Sequence, residues 1–336
     1  LNQPPQYLVS GLRPTGRVHL GNYFGAIRNW VQLQERYQCL YFIADWHALT
    51  THYADPSDVH AATFNATADL MAAGLDPQKC VIFLQSEVKQ HAELHLLLSM
   101  VTPLPWLERV PSFKDQQEQL TEKDLNTYGF LGYPLLQTAD IIIYRAAYVP
   151  VGEDQASHLE LSREIVRRFN NFYGPVFPEP QALFTETPKV PGLDGRKMSK
   201  SYDNTIPLSA SADEIRALVM TMFTDPNRIR RTDPGNPDIC NLFQFHKLFS
   251  DEATIARVDH ECRAAQIGCV QDKKLLADIM IEALAPIRAR REEIDRNPSM
   301  VWDVLHEGNR KARERAEETL EMVRSATKIR YPELRR

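Results

Sequence analysis

Apolar and polar positions alternate in two different ways along this chain. Tyr7-Leu8-Val9, Leu40-Tyr41-Phe42-Ile43 and Val81-Ile82-Phe83-Leu84 are short, unbroken apolar runs. Runs of that length predict strands buried on both faces. Between them the apolar spacing lengthens. Tyr23, Ala26, Ile27, Trp30, Val31 and Leu33 recur at helical intervals. A second helix is predicted over 56–73, with Pro56 near its first turn and Gly74 beyond its end, and a third over 92–100. Strand, helix, strand, helix with continuous apolar strands predicts a doubly wound, Rossmann-like parallel sheet of the α/β class. Residues 111–126 are polar and aperiodic, which predicts a surface excursion. Apolar runs return over 129–151. An amphipathic helix follows over 155–169, with Leu159, Val166 and Phe169 on one side and Arg163, Arg167 and Arg168 elsewhere. Residues 175–195 are loop-rich, and after about Thr205 strand signals vanish. The expected division is an α/β domain over 1–205 and an all-helical domain over 206–336.

Composition narrows the class. The 336 residues carry 39 Lys and Arg against 44 Asp and Glu, a net charge of −5, and 43% are hydrophobic. These are values of a globular chain and argue against long disorder. No run approaches the roughly 18 apolar residues of a membrane span, so no membrane partner is expected. Leu1-Asn2-Gln3-Pro4-Pro5 shows no basic segment followed by an apolar one, so no secretory signal is expected. Five cysteines in this length are no disulfide framework, and the expected location is cytoplasmic. The negative balance excludes a histone-like coat but leaves room for a local basic face.

Two segments carry phosphate chemistry. The first is the turn after the first strand, Gly11-Leu12-Arg13-Pro14-Thr15-Gly16-Arg17-Val18-His19-Leu20-Gly21-Asn22. Its glycines permit close backbone approach, the following helix offers free N–H groups to an anion, and His19 and Asn22 add donors. Alone it also reads as a plain glycine-rich loop with a surface histidine. Its spacing is neither the dinucleotide fingerprint nor a Walker loop, which disfavours a Rossmann dehydrogenase. The second is Lys197-Met198-Ser199-Lys200-Ser201, flanked by Gly192, Gly195 and Arg196. It can clamp a polyphosphate, or it can be a solvated basic loop.

Together they are more specific. A His-Leu-Gly-Asn element after the first strand, with a Lys-Met-Ser-Lys-Ser loop before a helical region, resembles the two signatures of class I aminoacyl-tRNA synthetases. Tyr133-Pro134-Leu135-Leu136-Gln137-Thr138-Ala139-Asp140 and Val149-Pro150-Val151-Gly152-Glu153-Asp154-Gln155 narrow the resemblance to the bacterial tryptophanyl-tRNA synthetases. Ile43-Ala44-Asp45-Trp46-His47-Ala48 extends it. The first signature usually ends in His, where Asn22 stands here.

The resemblance implies a tryptophan–tRNA ligase. L-tryptophan would react with ATP to give tryptophanyl-adenylate and pyrophosphate, and tryptophan would then pass to the 3′ end of its tRNA. It places Arg13, Thr15, His19, Gly21, Asn22, Gly152, Asp154, Lys197, Met198, Ser199 and Lys200 at ATP. His19, Asn22, Lys114, Lys197 and Lys200 would stabilise phosphate charge in the reaction. Mg²⁺ would accompany ATP. Val9, His47, Tyr133, Gln137, Asp140, Val149, Val151 and Gln155 would line the tryptophan pocket, Asp140 reading the indole N–H and Tyr133 and Gln155 holding the α-amino group. The residues agree: Tyr133, Gln137 and Asp140 share one helix face, and an apolar stretch buries Asp140, which must then find a donor. A packing carboxylate paired with Arg145 is the alternative for Asp140. Many tryptophan enzymes place Phe at Val9 and Met at Gln137, so the pocket wall differs here.

Cys240, Cys262 and Cys269 precede Asp272. A subset of the family binds an iron–sulfur cluster through Cys at four such positions, and Asp272 replaces the fourth. Three reduced thiols are the favoured expectation, with a zinc site as a further one. Cys39 and Cys80, beside strands, are expected in the core, as are Trp30 and Trp302. The resemblance also implies anticodon recognition by residues 206–336, which include Arg228, Arg230 and Arg231, and a symmetric homodimer with Trp106 near its contact. The alternatives are a tyrosyl-tRNA synthetase and a synthetase-like protein that binds tryptophan or ATP and charges no tRNA.

Overall fold

The computed structural model describes residues 6–110, 125–152, 156–184, 188 and 190–334. Five strands, β1 (Tyr7–Leu12), β2 (Gln38–Ile43), β3 (Cys80–Leu84), β4 (Tyr148–Val151) and β5 (Gln181–Phe184), form one parallel sheet in the order β3-β2-β1-β4-β5. The apolar runs became β1, β2 and β3 because each is wanted on both faces. Leu8 and Tyr41 enter one core, while Val9, Leu40 and Phe42 enter the other. The chain moves outward from β1 to β3 and then returns to the far side of β1 as β4. That reversal opens a crevice at the carboxyl ends of β1 and β4, where doubly wound sheets bind ligands. β5 lies in the segment expected to be loop. It is an edge strand with Gln181 and Phe184 exposed, so it lacks the buried apolar run that marks the others.

The helices between strands match the periodicity, with shifted ends. Residues 20–33 form α1, with a π-helical segment at Tyr23–Ile27. Then come α2 (Asp45–His52), α3 (Val59–Ala73) and α4 (Gln90–Ser99). α3 starts after Pro56, whose carbonyl accepts from Val59 N–H at 3.0 Å in the preceding turn. Gly74 ends α3 in the left-handed region at φ +115°. α5 (Tyr133–Ile142) leads to β4, and α6 (Ala156–Tyr173) to β5. α6 buries Leu159, Val166 and Phe169 and turns Arg163 and Arg167 outward to Glu160 and Glu179.

Beyond β5 the described residues hold α7 (Ala212–Thr221), α8 (Asn241–Phe249), α9 (Glu252–Arg263), α10 (Cys269–Arg296) and α11 (Ser299–Ala326). Ser211 and Asp251 cap α7 and α9, accepting from Glu214 and Thr254 N–H groups. These helices share a core with the sheet: Leu8, Tyr41 and Ile82 belong to one cluster with Ile215, Phe245, Leu276 and Leu305. α11 returns to the outer edge of β3. Asn309 Oδ1 accepts from Leu84 N–H at 2.8 Å, and Gly308 approaches so closely that a Cβ there would lie 1.8 Å from Ile82 O. The helix thereby seals a strand edge that would otherwise present open backbone groups.

Trp30 is buried and stacks on Tyr41. Trp302 is not a core residue, contrary to expectation. It is 39% exposed and packs one side against His60 and Phe64. Cys39 and Cys80 are buried register partners on β2 and β3. Burial pushes their thiols up to about 11 and about 12 respectively, so they are inert.

Candidate active site

The turn after β1 and the lysine loop meet. Leu20 N–H donates to Ile206 O at 2.9 Å, Leu208 N–H donates to Val18 O at 2.8 Å, and His19 forms a bridge with Pro207. Gly21 N–H points at Met198 Sδ at 3.2 Å, and a Cβ on Gly16 would lie 3.8 Å from Lys200 Cδ. Gly16 itself sits at φ +88°, which L side chains avoid. Asn22 Oδ1 accepts from His19 N–H at 3.2 Å, which orients its amide.

Electrostatics tie the cluster together. His19 is buried, its Nδ1 has no hydrogen-bond partner among the described residues, and burial followed by the Lys200 charge pushes its pKa down to about 4. Burial and then Arg13 push Lys200 down to about 8, against the opposing pull of Asp69. Arg13 is open to solvent yet deep in the cleft, and desolvation lowers its pKa while Tyr133 raises it. Crowded, incompletely compensated cations of this kind suit a polyanion, which would supply the missing charge. Thr15 N–H turns back to Arg13 O at 3.0 Å. Lys197 is exposed on the loop's outer side, and no described contact brings it to His19.

Asn204 organises the loop. Its Oδ1 accepts from Ser199 N–H at 2.8 Å, and its Nδ2 donates to Asp194 Oδ1 at 2.7 Å and Lys197 O at 3.2 Å. Sequence reading passed over it because an asparagine outside a motif carries no signal. Asp69 was missed likewise. It is buried on α3, paired with Arg291 of α10, and lies in the field of Lys200 and Arg17.

α5 joins this cluster to the pocket. Tyr133, at its start, is felt by Arg13 and packs against Phe130 and His158. Gln137 is half-buried one turn on, and Asp140 is fully buried. Val9, Val149 and Val151 lie in the same core as Leu135 and Ala139 of α5. Asp140 is not paired with Arg145, whose Nη1 faces Met322 Sδ at 3.7 Å. Its carboxylate accepts from Gln85 Nε2 at 2.9 Å on both oxygens, from His91 Nδ1 at 2.6 Å and from His47 Nε2 at 2.8 Å. Burial works to raise its pKa, and the hydrogen bonds from His47 and His91 outweigh that, holding it below the usual carboxylate range. Tyr144 O–H donates to His91 Nε2 at 2.6 Å. A cavity of about 390 Å³ is walled by Trp46, Leu49, Tyr53, His95 and Leu136, and Asp140, His47, Tyr133 and Gln137 do not line it.

Gln85, His91 and Tyr144 were also missed. Their signal was positional: Gln85 follows β3 as Arg13 follows β1, at the end where ligands bind. Gly152 follows β4 in the same way. Lys114, Asp154 and Gln155, with most of the excursion at 111–126, lie outside the described residues.

The cysteines gather, but not as a ligand set. Arg228 Nη1 lies 3.9 Å from the sulfurs of both Cys262 and Cys269, and Asp272 Oδ1 is held by His246 Nε2 at 3.1 Å. A guanidinium between thiols opposes a metal cation there, and the would-be fourth ligand is engaged. Among the described residues no group of three or more His, Cys, Asp or Glu has metal-holding geometry. These residues, as placed, do not fit an iron–sulfur cluster or zinc.

Comparison with known proteins decides the family. The family of class I tRNA synthetases for W and Y matches residues 1–285. A tryptophan–tRNA ligase of Thermotoga maritima is 52% identical over 326 residues, covering 96% of this chain and 99% of the relative. The chain belongs to the class I tRNA synthetases, in their bacterial tryptophan–tRNA ligase branch. One from Aquifex aeolicus is 45% identical, covering 96% of this synthetase and 99% of its own chain. The solved tryptophanyl-tRNA synthetase of Campylobacter jejuni, complexed with ADP and tryptophan, superimposes with a TM-score of 0.87 at 35% identity, covering 95% and 99% of the two chains.

Proposed function

We propose that this cleft performs the two-step ligase reaction with the residues assembled above. The observation that carries the reading is the meeting of the two signature segments, where Leu20 and Leu208 N–H groups bond across to Ile206 O and Val18 O and Gly21 N–H points at Met198 Sδ. In the first step the tryptophan carboxylate attacks the α-phosphorus of ATP, and pyrophosphate leaves. The carboxylate is already ionised, so no general base is needed; positioning and charge stabilisation are. His19 and Asn22 donate to phosphate oxygens, and Lys200 and Arg13 offset their charge. Lys197 joins when the loop closes on ATP, and Lys114 reaches the pyrophosphate. Mg²⁺ would enter with ATP and offset phosphate charge, without needing a dedicated cage of protein ligands. Asp154, with Gly152, meets the ribose. Tyr133 and Gln155 hold the α-amino group, and Asp140 takes the indole N–H among Val9, His47, Gln137, Val149 and Val151. In the second step a ribose hydroxyl of the terminal tRNA adenosine attacks the adenylate carbonyl, and AMP leaves.

The division of labour follows the chain: 1–205 activates, and 206–336 reads the tRNA. The reaction belongs in the cytoplasm, where its tRNA substrate is used; no described helix is long and apolar enough to cross a membrane. A homodimer is supported by exposed Leu104 and Phe172, the latter flanking Arg168 together with Trp106.

Pyrophosphate exchange with tryptophan or with tyrosine, followed by tRNA charging, tests the reading. Exchange with tryptophan and charging are expected. Exchange with tyrosine alone would transfer the assignment to a tyrosine enzyme, and exchange without charging to a binding protein. Lys200→Ala should lower exchange about 10²–10³-fold, typical of losing one preorganised charge donor.

A further inference from the structure

Asp140 has no free side. An ionised carboxylate offers about four lone-pair sites. Gln85 spans both oxygens, His91 takes Oδ1 and His47 takes Oδ2. The carboxylate side chain is 1% exposed. No ligand N–H reaches it unless a covering donor moves.

The donors differ in how firmly they are held. Gln85 is fully buried. His91 is 0% exposed and is fixed at its second nitrogen by Tyr144, itself fully buried. The Phe42 and Phe83 rings pack near its imidazole, with centroids 6.1 Å away in each case. His47 is the outer cover. Its side chain is 10% exposed, it stands on the first turn of α2, and its neighbours Trp46 and Asp45 are only partly buried. A rotation about its χ angles releases Oδ2 without disturbing Gln85 or His91.

We propose that His47 is an exchangeable donor: its Nε2–H occupies the acceptor site on Asp140 that the N–H of a bound aromatic ring uses, so histidine and ligand compete for one oxygen. Gln85, His91 and Tyr144 are the positioning residues that keep the carboxylate ionised and aimed through the exchange. This rests on the reading that Asp140 takes the ligand's ring N–H.

The exchange has a consequence for selectivity. A buried acceptor left unpaired is what makes a site reject a ligand lacking the donor. With His47 able to return, a ring without N–H leaves no orphan oxygen, and the penalty is damped. Removing His47 should therefore sharpen discrimination. A residue that merely packed against the ring would weaken both ligands alike.

The test is calorimetric titration of the full-length protein with L-tryptophan and with its benzothienyl analogue, in which sulfur replaces the ring N–H. The native protein should prefer tryptophan modestly. In His47→Ala the preference should widen about tenfold, chiefly through weaker binding of the analogue. His47→Gln, whose amide can donate again, should return it toward the native ratio. Should His47→Ala not fold by circular dichroism, His47→Leu supplies volume without a donor and must show the same widening. A preference above one that is identical in native and donor-less variants overturns the exchange while leaving Asp140 as reader. Equal binding of both ligands by native and variant proteins alike sinks the reading of Asp140, and the exchange with it.

Discussion

At the scale of single residues, the cleft is built on charge left incompletely compensated. His19 titrates near 4 in the folded chain against 6.5 unfolded, and Lys200 near 8 against 10.5. Both are cations whose folded pKa is depressed, so the unfolded chain binds the extra proton within each interval. Stability accordingly rises with pH from about 4 to 6.5 through His19, and is lost as pH falls through that window. Melting temperature against pH should show that slope, flattened in His19→Asn. Lys200 gives a kinetic consequence. As pH rises through about 8, the free protein loses the ammonium proposed to face phosphate, so kcat/KM for ATP should fall. Lys200→Arg should move that limb outward, because arginine does not titrate there; an unmoved limb would assign it to another group. His19 and Lys200 were legible in sequence because signature spacing marks them. Gln85, His91 and Asn204 were not, because their roles arise from partners distant in the chain.

At the scale of elements, close approaches decide more than propensities. α11 lies on β3 because residue 308 has no side chain. Gly308→Ala would drive a methyl into Ile82 O and should cost about 2–3 kcal/mol in urea denaturation. Asp69→Ala would remove one charged partner of Arg291 at the contact of α3 with α10, leaving Asp295 and Asn65, and a loss of about 1.5–3 kcal/mol is expected by the same measurement. Pro286 lies within α10, and Arg288 Nη2 donates to Ile281 O at 2.6 Å in the turn it disturbs. β1, β2 and β3 announced themselves through apolar runs wanted on two faces. β5 did not, since an edge strand needs no such run. Trp302 fitted a helical stripe, but the buried face of α11 runs through Val301, Leu305, Gly308 and Ala312, and Trp302 lies beside that face rather than on it.

At the scale of the whole molecule, the two halves of the chain are one packed body at the sheet. A fragment of residues 1–205 would expose Leu8, Tyr41 and Ile82 to water where Ile215, Leu276 and Leu305 now cover them, and would open the edge of β3. It should therefore fail to give dispersed amide resonances or a cooperative melt, although the residues proposed for activation lie within it. The apolar runs, the glycine turn and the lysine loop determined the parallel sheet and the family, because backbone periodicity and local spacing are written in consecutive residues. Which donors surround Asp140, which of two loop lysines enters the cluster and how the last helix closes the sheet were decided only by tertiary structure. Those are contacts between residues tens to hundreds of positions apart, and no local pattern records them.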